Sequence, residues 1–235
     1  MQDFGQSFAL AFDLVWSADP TLMEIIGLSI KVSLSAVVLA CLIGLPLGAA
    51  IGMSRFRGRD ASIIILNALM GLPPVVVGLL VYLTLSRAGP LGVFGLLYTP
   101  AAMIIAQTIL ITPIVAALSR QVIEDLHNEY AEQFRSLCVP PRAAIAALLW
   151  DARYSLLTVM LAGFGRAVAE VGAVIIVGGN IDHLTRVMTT AIALETSKGD
   201  LALALALGLV LMVMALAVNA GVMMLRMTAQ RQAYA

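Results

Sequence analysis

The chain has 235 residues, 61% of them hydrophobic and only 12% charged, with zero net charge and a mean hydropathy of +0.98. Soluble domains are about half apolar and a quarter charged, so this composition excludes an ordinary soluble fold and points to an all-α integral membrane protein. The balanced charge offers no basic footprint for nucleic acid, and two cysteines, Cys41 and Cys138, do not make a disulfide framework.

Residues 1–20, MQDFGQSFALAFDLVWSADP, carry Asp3, Asp13 and Asp19 but no Lys or Arg, and they lack the basic start and small-residue cleavage site of a signal peptide. Phe4, Phe8 and Phe12 recur every four positions ahead of Trp16, which predicts a short interfacial helix. Five membrane-length stretches follow, roughly 25–53, 61–86, 98–119, 154–178 and 201–225. The last has no charge along its length and suffices to cross a hydrocarbon core of about 30 Å. Pro46, Pro73, Pro74 and Pro113 fall within the first three, and mark either kinks or helices that line a path. Cys41 reads as a small packing residue, and Lys31 can snorkel outward.

Basic residues alternate between the connections. Arg55, Arg57 and Arg59 separate the first two spans, Arg120, Arg135, Arg142 and Arg153 lie between the third and fourth, and Arg226 and Arg231 follow the fifth. The other connections hold only Arg87, Arg186 and Lys198. The positive-inside rule then puts the N-terminus outside and the C-terminus inside the cytoplasmic membrane. Three parts are expected: an interfacial segment over 1–20, a transmembrane domain over 21–228, and a cytoplasmic tail over 229–235.

The most polar stretch lies at 120–144, with a loop at about 124–142. Its residues 129–137 suit a short helix stopped by Pro140-Pro141, with Phe134 and Leu137 on one face as a ridge for a partner groove or for the chain's own helix ends. The fourth span carries Arg166 and Glu170, four apart, near its middle. Each costs roughly 2.5–3.5 kcal/mol at the centre of an isolated membrane helix, and Arg before Glu is the weaker order within a helix, so both should face other helices. The pair is either a clasp between helices or a charge presented to a passing anion. Gly165, Ala169 and Ala173 form a small-residue strip beside it. Beyond it, Asn180, Thr185, Thr189, Thr190, Thr196 and Ser197 supply amide and hydroxyl groups suited to weak, replaceable anion contacts, or simply to a polar loop. His127 and His183 are isolated from any second His or Cys at metal-ligand spacing, so no metal site is expected.

The polar loop resembles the EAA loop of ABC-importer permeases, written E-A-A-x3-G-x9-I-x-L-P. From Glu132 the chain reads E-Q-F, then R-S-L, with Cys138 at the glycine and Trp150-Asp151 in place of Leu-Pro. GLPPVVVGLLVYLTLSRAGPLG (71–92) and GRAVAEVGAVIIVGGNIDHLTRVMTTAIALETSKGD (165–200) resemble the molybdate-type permeases, and LLWDAR and ALETSKGD resemble their tungstate branch. The likeness spans roughly residues 22–226. It implies a homodimer with the transport path at its interface, two copies of a separate ATP-binding subunit, and an extracytoplasmic protein that delivers the oxyanion. It also implies that Glu129, Glu132, Phe134, Arg135, Leu137 and Cys138 carry the coupling contact to the ATPase. Arg166, Glu170, Asn180, Thr189 and Thr190 are the candidates for the path or its gate. No G-x-x-x-x-G-K-[ST] phosphate loop is present, so ATP and Mg belong to the partner and this chain is expected to bind no cofactor and catalyse nothing. A permease for another anion such as sulfate is the alternative within the class. A membrane enzyme would need a Ser/His or paired-Asp constellation within the spans, and none converges; a self-contained channel would not need such a loop.

Overall fold

The computed structural model describes residues 4–233. Asp3 and residues 234–235 of the expected tail lie outside the described residues, as do the side chains of Phe4, Arg142, Arg226 and Arg231. The chain is helical throughout, in the order α1 (Phe4–Trp16), α2 (Pro20–Met53), α3 (Arg59–Met70), α4 (Pro74–Leu85), α5 (Pro100–Ser136), α6 (Pro141–Asp151), α7 (Arg153–Val168), α8 (Gly172–Gly178), α9 (Met188–Lys198) and α10 (Leu201–Ala233). A single 3-10 turn, Gly92–Phe94, lies between α4 and α5.

Among the described residues three helices, α2, α5 and α10, are long and apolar enough to cross a membrane alone, and up to five spans result if each bent pair counts as one. The second expected span is one such pair: α3 and α4 meet at 95° around Gly71–Pro73. Pro74 opens α4 at its first turn, where no amide hydrogen is required. Pro46 and Pro113, in contrast, sit inside helices that continue past them. The fourth expected span, 154–178, is not one helix. Its apolar run is split at residues 169–171 into α7 and α8, and α7 is also bent by 61° from α6. The small-residue strip therefore divides: Gly165 faces Val218 of α10, whereas Ala173 packs against Gly78 of α4.

Lipid tails give apolar helices no hydrophobic reason to associate, so close backbone approach has to supply the packing. Along α2, Ala36, Ala40, Gly44, Gly48 and Gly52 recur every four residues, and all are buried. A Cβ on Gly48 would lie 2.0 Å from Ser119 Oγ and 2.5 Å from the Ala116 carbonyl oxygen of α5. Gly78 also brings α4 close to α8, since a Cβ there would lie 2.8 Å from Ala173 Cα. A core of Val81, Met103, Ala106, Val174 and Val177 joins α4, α5 and α8. A second core seats Ala11 of α1 on Leu207 of α10, beside Ile25 and Met188. The opposite side of α1 exposes Phe8, Phe12 and Trp16, the expected aromatic stripe.

Side-chain ties define the two ends of the bundle. At one, Arg59 Nη2 pairs with Glu124 Oε1 at 2.7 Å, Arg120 pairs with the same carboxylate, and Arg59 Nε donates to the Ile51 carbonyl at 3.1 Å. The 54–58 turn and the last third of α5 thus lie together. At the other end, Asp19 caps α2 through the amides of Thr21 and Leu22 at 2.9 and 3.1 Å. His183 reaches Glu24 there at 2.7 Å, and the Tyr98 amide donates to the Val177 carbonyl at 3.0 Å.

Candidate functional site

The break between α7 and α8 frees backbone polar groups inside the fourth apolar run, where each one left unpaired costs free energy. Four side chains close it. Gln107 Nε2 of α5 donates to the Ala167 carbonyl at 3.2 Å, and Thr189 Oγ1 of α9 donates to the Glu170 carbonyl at 2.8 Å. Glu170 Oε1 accepts the Ala173 amide at 3.2 Å, capping α8, while its Oε2 takes Arg166 Nη1 at 2.6 Å.

The order of the ion pair now has a reason. Within one helix Arg before Glu opposes the macrodipole, but here Arg166 stands in the last turn of α7 and Glu170 just ahead of α8. Each charge faces the helix end that favours it. The pair is also lopsided: the Arg166 side chain is 39% exposed and that of Glu170 only 5%. Glu170 is the fixed anchor, and Arg166 is the partner that keeps partial exposure.

Behind the break, Ser29, Ser33, Gln107, Glu170 and Thr189 line a small cavity of about 10 Å³ between α2, α5 and α9. Ser29 Oγ donates to the Ile25 carbonyl at 2.6 Å and accepts the Met188 amide at 2.8 Å, which docks the start of α9 on α2. Gln107 Oε1 is buried with no partner among the described residues. The Ala167 carbonyl fixes which end of that amide is nitrogen. Sequence reasoning missed Ser29, Ser33 and Gln107. The available signal was two serines four apart and one amide, each inside an otherwise apolar span.

Of the five candidates for the path, the structure brings Arg166, Glu170 and Thr189 together at this break. Asn180 and Thr190 form a separate knot. Thr190 Oγ1 donates to Asn180 Oδ1 at 2.9 Å and accepts the Val187 amide at 3.2 Å, and Asn180 Nδ2 donates to the Thr190 carbonyl at 3.3 Å. Thr185 Oγ1 donates to the Gly178 carbonyl at 2.6 Å. These groups hold the 179–187 loop over the start of α9, and both threonines are buried. Beside them the exposed His183 is held above its ordinary pKa, chiefly by its hydrogen bond to Glu24, then by the charges of Glu24 and Asp182.

The residues expected to couple to the ATPase lie at the far end of α5, not on the separate short helix expected. α5 runs unbroken to Ser136, and Leu137 closes it as the cap. Pro140 and Pro141 do not stop that helix. They begin α6, because proline suits a first helical turn. Glu129, Glu132, Arg135, Leu137 and Cys138 are exposed and Phe134 is half-buried against Tyr130, with ring centroids 5.7 Å apart. Tyr130 Oη donates to Asp151 Oδ2 at 2.7 Å, fastening α6 to α5. Cys138 has φ +49°, the left-handed conformation that glycine adopts without strain.

Residues 44–226 match the family described as binding-protein-dependent transport system inner membrane component. The chain is 40% identical over 226 residues, 96% of this chain and 99% of the relative, to the tungstate uptake system permease protein TupB of Peptoclostridium acidaminophilum. It is 40% identical over 185 residues, 77% of this chain and 80% of the relative, to a probable anion ABC transporter permease protein of Haloferax volcanii. The molybdenum transport system permease protein ModB of Azotobacter vinelandii is 26% identical over 175 residues, 71% of this chain and 77% of that one.

Proposed function

The chain belongs to the family of binding-protein-dependent transport system inner membrane components, and from that premise we propose that it is the permease subunit of an ATP-driven importer of tungstate or molybdate. The observation that carries the substrate class is the 40% identity to a tungstate permease over 96% of the chain. An extracytoplasmic binding protein delivers the dianion, two copies of this chain form the path between them, and two copies of a separate ATPase drive alternating access. The chain itself binds no cofactor and catalyses nothing; ATP and Mg are used by the partner. It sits in the inner membrane with its N-terminus and α1 at the outer face and its C-terminus in the cytoplasm.

Residues have distinct parts in this reading. Glu129, Glu132, Arg135, Leu137 and Cys138, with Phe134 behind them, meet the ATPase at the end of α5. Arg166 offers its exposed guanidinium to the dianion while Glu170 keeps it in place. Thr189, Thr190 and Asn180 act on the path by setting the position of α9 against the break. Contacts with the anion stay few and weak, because tight binding inside a pathway slows release.

The test is uptake of tungstate into proteoliposomes holding this chain, its ATPase and the binding protein. Uptake that requires ATP and the binding protein supports the reading. Anion movement by this chain alone would make it a channel. Competition by molybdate and sulfate sorts the oxyanions, a relevant arm because one similar permease is named only for anions.

A further inference from the structure

We propose that the turn between α2 and α3 is a binding site for an anionic phospholipid. Residues Arg55 to Asp60 line an open cup of about 490 Å³ at the point where α2 ends and α3 begins. Two of its arginines are committed to nothing. Arg59 is spent on the Ile51 carbonyl and on Glu124, but Arg55 and Arg57 are exposed and have no ion-pair partner among the described residues. The one carboxylate in the cup is the exposed Asp60, in the first turn of α3, and it cannot offset two guanidinium groups. Glu124 is already shared between Arg59 and Arg120. The cup is therefore cationic, and its planar forked donors suit phosphate oxygens.

A free phosphate would need nothing more, but the surroundings are those of a lipid. Phe56, between the two arginines, is 47% exposed, and Ile64 and Ile65, about one turn into α3, are 68% and 59% exposed. Large apolar side chains next to an uncompensated cationic cup match a ligand with a charged head and hydrocarbon tails. The cup lies where the membrane-length α2 ends and the bent pair α3–α4 begins, which on the topology proposed above is the cytoplasmic interface, at the depth of lipid headgroups. Attraction of about 1 kcal/mol per arginine near an anionic surface makes two free arginines a selective contact.

The full-length chain, purified in detergent and titrated with phosphatidylglycerol or phosphatidylcholine, is read by native mass spectrometry. Phosphatidylglycerol is expected to be retained in preference to phosphatidylcholine. The Arg55→Gln/Arg57→Gln double variant should bind it about 30-fold more weakly, and the Arg55→Lys/Arg57→Lys variant within a few-fold of wild type. Phe56→Ser leaves the charges in place and should also lower retention, which keeps the proposal testable if the double variant misfolds. Equal retention of the two lipids by the wild type overturns it, as does unchanged retention in the Gln double variant or in Phe56→Ser. Displacement of phosphatidylglycerol by millimolar inorganic phosphate would assign the cup to a free anion instead.

Discussion

Arg166 and Glu170 face each other across a helix break at 2.6 Å, one half-buried and the other almost wholly within the protein. Breaking such a pair from either side is not equivalent. Arg166→Gln strands the carboxylate of Glu170 at a site 5% exposed, and an uncompensated buried charge costs about 3–5 kcal/mol. Glu170→Gln leaves a neutral amide oxygen that still accepts from Ala173, and Arg166 can turn toward solvent. Arg166→Gln should therefore lower the yield of folded protein and its thermal stability in detergent clearly more than Glu170→Gln. Equal losses would mean that the pair is a symmetric clasp. Normal assembly of Glu170→Gln with altered uptake would place the pair on the path.

Thr189→Val keeps the shape of the side chain and removes the hydroxyl that donates to the Glu170 carbonyl at 2.8 Å. A buried carbonyl left without a partner costs about 1–3 kcal/mol. Thermal unfolding of the variant should fall accordingly, and uptake should fall with it. Unchanged uptake and unchanged stability together would remove Thr189 from the mechanism and the hydroxyl from the account of the break.

Gly48→Ala should disrupt the seam between α2 and α5. Shifting Ser119 cannot relieve it, because the Ala116 carbonyl oxygen would still lie 2.5 Å from the new Cβ. The helices must separate, and overpacking of this kind costs about 1–3 kcal/mol or more. Gly27→Ala and Gly208→Ala, where a Cβ meets nothing within 4 Å, are the matched controls. Size-exclusion profiles decide the matter: of the three single variants only Gly48→Ala should lose its monodisperse peak, and the double variant Gly48→Ala/Ser119→Gly should not regain it.

Five apolar runs, the aromatic face of α1 and the polar stretch at 120–144 were legible in the sequence, because hydropathy and periodicity report burial in lipid directly, but the expected loop at 124–142 is largely the continuation of α5. The split of the fourth run was not. GRAVAEVGAVIIVGG has no proline, and its break rests on partners from elsewhere, Gln107 and Thr189, that no local pattern reveals. Arg before Glu, the unfavourable order for one helix, was in hindsight the local sign of a break. Asn180 and Thr190 were singled out for their polarity, yet polarity alone cannot tell a hydroxyl that faces a passage from one saturated by its own loop. The α2–α5 seam was missed: the available signal was Gly44, Gly48 and Gly52 at four-residue spacing, but which helix they receive depends on tertiary contact.

Cys138 is the position at which the resemblance to the EAA loop implies glycine, and its φ of +49° is the left-handed conformation that glycine adopts without strain. A side chain in that region costs about 1–2 kcal/mol, partly offset by the greater freedom of glycine in the unfolded chain. Cys138→Gly should raise thermal stability slightly, by up to about 1 kcal/mol, whereas the β-branched Cys138→Val should lower it. A stability order in which Val exceeds Gly would contradict the left-handed turn.

His183 and Glu24 tie the 179–187 loop to the start of α2 at 2.7 Å, and the tie is charged only when the imidazole is protonated. Hydrogen bonding to Glu24, then its charge and that of Asp182, raise the His183 pKa above its ordinary value. A raised pKa in the folded state means that the folded chain binds the proton more tightly than the unfolded one. The contribution to the loop is thus complete below the ordinary histidine value of about 6.5 and fades as pH rises through the raised value. A nuclear magnetic resonance titration of His183 should show a midpoint above 6.5, and Glu24→Gln should bring it down toward that value. Hydrogen exchange of the loop amides should quicken with pH, beyond the intrinsic rate, in the wild type and not in Glu24→Gln. A midpoint that ignores the substitution would show that Glu24 does not hold the proton, and the loop would then owe its position to the Asn180–Thr190 knot and to Thr185.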